Sequence, residues 1–190
     1  MKKVIILGAS GNIASHVIEL LKKSDDIYLT LFLRNKSRLR NRDISRYSII
    51  EGNVLNYSQL KEAVTGQDIV YANLSGELEA MAKNIVKAMD ENGVKKLIFI
   101  CSIGIYDVPL RSVLVPYRKA ADEIETSDLE YTILRPTWFT NVDEVDYELT
   151  QKGEPEKGSV ISHKSLATFI TKIIESPEIF IRENLGINKP

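Results

Sequence analysis

"GASGNIA", Gly8 to Ala14, follows the apolar run Val4–Leu7 and leads into a segment with helical spacing. Gly8, Gly11 and Ala14 form a G-x-x-G-x-x-A pattern. Small residues at those places let the turn tighten, let the backbone approach a pyrophosphate and let the helix pack on the strand. The first N–H groups of the helix, which have no intrahelical acceptor, then face the anion. A tight turn uses glycine in any case, so the motif draws its meaning from its place in the first βα unit of an alternating chain. No G-K-[ST] follows, which excludes a mononucleotide P-loop.

The alternation continues outward from this turn. "KVIILG", "IYLTLFLR", "YSII", "DIVYANL", "KLIFIC" and "EYTILRP" read as six strands. Helical segments follow at Asn12–Lys23, Ser58–Val64, from near Pro116 and at Lys164–Glu175. The clearest helix carries Leu78, Met81, Ala82, Ile85, Val86 and Met89 on one face, with Ser75 as its expected N-cap and Asn92-Gly93 as its stop. Ser162 is the expected N-cap of the last helix. Strands joined by crossover helices give an α/β fold: a doubly wound parallel sheet in three layers, one domain over 1–190. The polar stretch between Thr137 and Ser162 reads as loop, leaving a small substrate-side cap from about 137–190.

Composition narrows the function. The chain has 190 residues, 44% of them hydrophobic, enough for one sizeable core. Its 25 basic and 26 acidic residues nearly cancel, so no overall field favours nucleic acid or an anionic membrane. The single cysteine, Cys101, excludes an internal disulfide and a multi-thiolate metal centre, and no metal is expected. Val4–Leu7 is too short for a signal-peptide core, and no apolar run approaches the ~20 residues of a membrane span. These features predict a soluble, unprocessed cytoplasmic protein acting on a small molecule. A homodimer or protein partner stays open.

The end of the second strand selects the cofactor. NAD recognition uses an acidic residue there, whereas this chain has "LFLRNKSRLRNRDISR". Arg34, Lys36, Arg38, Arg40, Arg42 and Arg46 face only Asp43 in that stretch. Arg34 stands where a guanidinium can fork onto a ribose 2′-phosphate, which favours NADPH over NADH. Most of the other arginines read equally as a solvated cationic loop. RNA binding is disfavoured because no aromatics are interleaved.

With "GASGNIA", "EGN", "CSIGIYD", "YRKAADE", "YTILRP" and "SHKSLA" in this order, the chain resembles the atypical short-chain dehydrogenase/reductases. Within them it is similar to the small NmrA-like and biliverdin/flavin reductase-like NAD(P)-binding proteins, from Lys3 to about Ala167. The resemblance implies a Rossmann sheet with NAD(P) across the carboxyl ends of the strands. Ser10, Asn12 and Ile13 would then surround the pyrophosphate, and Asn53 would face the adenine or serve only as a turn residue. Leu74 and Ser75 would lie along the cofactor ribose, and Pro136 and Thr137 would border the nicotinamide.

The catalytic signature departs from the wider superfamily, which places a tyrosine four residues before a lysine on one helix face. Lys119 fits the lysine, but Val115 stands in the tyrosine's place. Tyr117 is out of register, because two helical residues are turned by about 200°. Three residues remain as catalytic candidates. Ser102 matches a serine near the nicotinamide or is a turn residue. Tyr106 reaches a substrate or covers the core, and Lys119 holds a ribose hydroxyl with or without catalysis. Trp138 and Phe139 could wall a flat substrate or anchor their loop. Cys101 reads as a buried small side chain, and His16 as solvent-facing.

Reducing an ordinary ketone requires a proton donor for the developing alkoxide, whereas a flavin or quinone takes hydride into a delocalised system that water can protonate. The leading expectation is therefore hydride transfer from NADPH to a flat acceptor of that kind. The alternative is a non-catalytic NAD(P)-binding redox sensor of the NmrA-like kind. Sugar-nucleotide chemistry is disfavoured, because such enzymes carry the Tyr and Lys pair and a larger cap.

Overall fold

β1 (Lys2–Leu7) is fully buried from Val4 to Leu7, which is why its apolar residues run without alternation. The computed structural model describes residues 1–39 and 44–190. Arg40, Arg42 and Asp43 of the basic stretch lie outside the described residues. After β1 come α1 (Asn12–Leu21), β2 (Ile27–Leu33), β3 (Ser48–Glu51), α2 (Tyr57–Val64), β4 (Ile69–Ala72) and α3 (Leu78–Glu91). The second half holds β5 (Lys96–Ile100), α4 (Val115–Glu125), β6 (Glu130–Pro136), β7 (Trp138–Thr140), β8 (Glu148–Thr150), β9 (Val160–Ser162), α5 (His163–Glu175) and β10 (Glu183–Asn188).

The main sheet runs β3-β2-β1-β4-β5-β6-β10-β8, with every pair parallel except β10 and β8. Strand order reverses between β1 and β4, the place where an open α/β sheet leaves a crevice at its carboxyl edge. One face packs against α1 and α5, the other against α2, α3 and α4. This is the expected single-domain, three-layer Rossmann arrangement.

Several boundaries differ from the sequence expectation. α1 stops at Leu21, short of Lys23. α3 is capped at Glu77, without a side-chain hydrogen bond, so Ser75 is not its N-cap; Gly76 (φ +104°) intervenes. Asn56 and Ser162 do cap α2 and α5, accepting from the amides of Gln59 and Ser165.

The larger difference is in the tail. "ENLGIN" forms β10, although three of its six residues are Glu or Asn, because Asn184 and Asn188 find partners inside the fold. β8 then extends the sheet antiparallel to it, while β7 and β9 pair as a separate two-stranded parallel ribbon. Of the segment 137–190, α5 and β10 belong to the main layers. β8 joins them as the edge strand, and what remains outside is the β7–β9 ribbon and the loops between.

Candidate functional site

A cavity of about 510 Å³ opens over the strand-order reversal. One wall is the glycine turn, through Gly8, Ser10 and Gly11. Gly8 has φ +83°, and a β-carbon there would collide with the carbonyl of Asn73. At Gly11 a β-carbon would strike the Asn73 side-chain amide. Both positions are thus glycine for want of space, and Gly8 also for its backbone.

Gly11 caps α1 with no side-chain hydrogen bond, and the first helical amide with an acceptor is Ser15, bonded to the Gly11 carbonyl at 3.0 Å. The amides of Asn12, Ile13 and Ala14 therefore have no intrahelical partner. Ile13 is 4% exposed and its side chain belongs to the core, so what it and Asn12 offer the site is backbone N–H rather than side chain.

The opposite wall begins where β2 ends. Arg34, Asn35 and Arg38 line the cavity, with Phe32 and Leu33 beneath them. Arg38, in the 3-10 turn Lys36–Leu39, lines the same cavity as Arg34. Sequence reading singled out Arg34 alone, and the signal for Arg38 was the spacing of four. The other described basic residues are engaged elsewhere: Lys36 pairs with Glu51 at 3.7 Å, and Arg46 donates to the Lys22 carbonyl at 2.7 Å.

Gly52, Asn53 and Val54 close the far end, while Asn73, Leu74, Ser75 and Met81 form the floor. Asn53 lines the cavity and is also a turn residue, its Oδ1 accepting from the Leu55 amide at 3.1 Å. Asn73 and Met81 were missed. Asn73 looked like the end of an apolar strand, and only the fold sets it against two glycines from another segment.

The structure does not gather the catalytic candidates around this cavity. Lys119 is exposed and pairs with Glu79 Oε2 at 3.0 Å, while Lys83 holds Oε1 at 2.8 Å. Hydrogen bonds from Lys83 and then Lys119 hold the Glu79 carboxyl below its usual value. Tyr106 accepts from Asn184 Nδ2 at 2.7 Å, and its ring lies 4.8 Å from the Arg118 guanidinium, 4.9 Å from Lys152 Nζ and 5.4 Å from the Arg135 guanidinium. Burial, then Glu125, raises its phenol well above the ordinary tyrosine value, the wrong direction for a proton donor at neutral pH. Ser102 donates to the carbonyl of Ile103 at 3.2 Å, as a turn serine does. Burial pushes the Cys101 thiol up to about 12, so it is inert.

The ends of β5 and β6 do meet: the Ile103 amide donates to the Pro136 carbonyl at 3.1 Å. Next to it Thr137 is 4% exposed, with a hydroxyl that has no protein partner among the described residues. Beyond lie Trp138, 73% exposed, and Phe139. Phe139 stacks on His163 at 5.1 Å, and His163 on His16 at 5.6 Å. His16 is exposed, as expected, with one ring face stacked on His163.

The glycine cradle, the free helix amides and the two guanidiniums fit a phosphate-bearing dinucleotide. The Thr137 hydroxyl is a buried polar group left without a protein partner among the described residues at the carboxyl end of β6. No helix among the described residues is long and apolar enough to cross a membrane.

The model of a family described as NAD(P)H-binding matches residues 8–177. A solved Rossmann-fold NAD(P)-binding family protein from Shigella flexneri is 50% identical, with a TM-score of 0.93, covering 100% of this chain and 94% of that one. A short-chain dehydrogenase/reductase from Veillonella parvula, solved in complex with NADP, is 28% identical with a TM-score of 0.89, covering 100% and 95%. An isoflavone reductase homolog from Nicotiana tabacum is 24% identical over 92% of this chain, which spans 64% of that relative's length.

Proposed function

The chain belongs to the NAD(P)H-binding family, and from that premise we propose that it is an NADPH-dependent oxidoreductase passing hydride to a flat acceptor such as a flavin or quinone. The observation that carries this reading is one cavity with the Gly8/Gly11 cradle on one wall and Arg34 with Arg38 on the other. Binding of NADP by the Veillonella parvula relative supports the cofactor.

Each wall has a separate task. The amides of Asn12, Ile13 and Ala14 receive the pyrophosphate, whose charge is also favoured at the start of α1. Arg34 and Arg38 hold the 2′-phosphate, each able to present two parallel N–H donors. Asn53 and Val54 border the adenine, and Leu74 with Ser75 the adjoining ribose. Thr137 and Pro136 sit where the nicotinamide end emerges, and the Thr137 hydroxyl can donate to its carboxamide. When bound, the cofactor supplies the hydride.

Among the described residues, neither Lys119 nor Tyr106 is left as a free acid at that end. Lys119 is paired with Glu79, and the Tyr106 hydroxyl lies in a network with Asn184 and Glu125. An acceptor whose reduced form is protonated from water suits such a site, and an alkoxide-forming ketone does not. Trp138 and Phe139 offer exposed rings for a planar acceptor to stack on.

The same engagement of Lys119 and Tyr106 favours a second reading, a nucleotide-occupied redox sensor without turnover. Fluorescence titration with NADPH and NADH, followed by NADPH oxidation with FMN and a benzoquinone, separates the two. Tight NADPH binding with turnover supports the reductase. Binding without turnover against either acceptor supports the sensor, and no binding sinks both.

A further inference from the structure

The end of the sheet opposite the nucleotide cavity contains a buried amine that the proposed function does not use. Lys96 opens β5, is 3% exposed, and lines a second cavity of about 510 Å³ with Lys2, Asp68, Lys95, Glu130 and Pro177. Its Nζ donates to Thr132 Oγ1 at 3.2 Å and to the Ile179 carbonyl at 3.0 Å. The Thr132 hydroxyl proton is already given to the Phe180 carbonyl at 2.8 Å, so towards Lys96 that oxygen can only accept.

Among the described residues no carboxylate lies within ion-pair distance of this Nζ. Asp68 is engaged by the Lys3 amide at 2.7 Å, and Lys2 by the carbonyls of Ile174 and Glu175. Lys95 faces Asp90 at 3.9 Å. Two acceptors without a counter-ion match the two hydrogens of a neutral amine and leave its lone pair unused. In its neutral form a buried lysine so placed is available as a nucleophile.

We propose that Lys96 is a covalent modification site that takes small carbonyl compounds through the second cavity. The Nζ lone pair attacks the carbonyl carbon, the two amine protons leave with the carbonyl oxygen as water, and a C=N bond joins lysine to ligand. Burial lowers the Lys96 ammonium to about 8, opposed by the attraction of Glu130 and Glu178. Roughly a quarter of the amine is then neutral at pH 7.5, far more than in a lysine at the ordinary 10.5.

The test is reductive methylation of the folded protein with limiting formaldehyde and cyanoborohydride, read lysine by lysine by peptide mass spectrometry between pH 6.5 and 10. Exposed Lys23 serves as the internal reference. Lys96 should be methylated several-fold faster than Lys23 at pH 7.5, with a rate that levels off above about pH 8. Loss of that selectivity in urea would show that the fold confers it. A Lys96 rate at or below that of Lys23, or a Lys96 profile still climbing at pH 10, would overturn the proposal. The wild-type protein carries the whole measurement, so it does not depend on a variant that folds, and nucleotide binding plays no part in it.

Discussion

The carbonyl oxygen of Asn73 occupies the space that a β-carbon on Gly8 would need. Gly8→Ala therefore meets both a steric block and a positive φ, and should lower stability by about 1–3 kcal/mol and abolish NADPH binding. Gly66 is the control: its φ is +71° but nothing lies within 4 Å of an added β-carbon. Gly66→Ala should cost only about 1 kcal/mol and leave binding intact. Thermal melts paired with fluorescence titration check both.

Arg34 and Arg38 share the phosphate in the proposed complex. Arg34→Ala and Arg38→Ala should each weaken NADPH by about 1.5–3 kcal/mol, roughly 10- to 140-fold, and barely change NADH. Equal losses for both nucleotides would remove these residues from 2′-phosphate recognition. Because the contact is ionic, the NADPH preference should also shrink as salt rises.

His16 titrates below its ordinary 6.5, first because burial disfavours its charge and second because His163 repels it. The unfolded chain then binds more protons than the folded one between the lowered value and 6.5. Stability consequently falls as pH drops through that window and is flat above it. Urea midpoints between pH 5 and 8 should show this slope, and His16→Gln should flatten it.

Arg135 is 1% exposed and donates to Glu156 at 2.7 Å and to the Asn184 carbonyl at 2.7 Å. Arg135→Ala strands a partly buried carboxylate and should cost about 3–5 kcal/mol in chemical denaturation. Loss below 1 kcal/mol would mean that water replaces the guanidinium.

Tyr106→Phe distinguishes a network tyrosine from a proton donor. Removing the hydroxyl breaks its bond to Asn184, which should lower stability by about 1 kcal/mol. Hydride transfer to FMN should stay within about threefold of wild type; a drop of about 100-fold, the scale of a lost general acid, would restore Tyr106 to catalysis.

The layered fold, the glycine turn and the arginine at the end of β2 are legible in the chain because each is carried by a local pattern. Buried parallel strands read as unbroken apolar runs, helices show their period, and a tight turn needs glycine in sequence. The partners of those features are not local. Asn73 meets Gly8 and Gly11 only when β4 lies beside β1. Lys119 turns out to be paired because α3 packs on α4, and Tyr106 because β10, a strand too polar to stand out by composition, delivers Asn184 to it. Local pattern along the chain set which backbone conformations and which buried faces were available. Tertiary structure decided which titratable groups are left free to act, because a side chain's charge and hydrogen bonds are settled by neighbours distant in the chain.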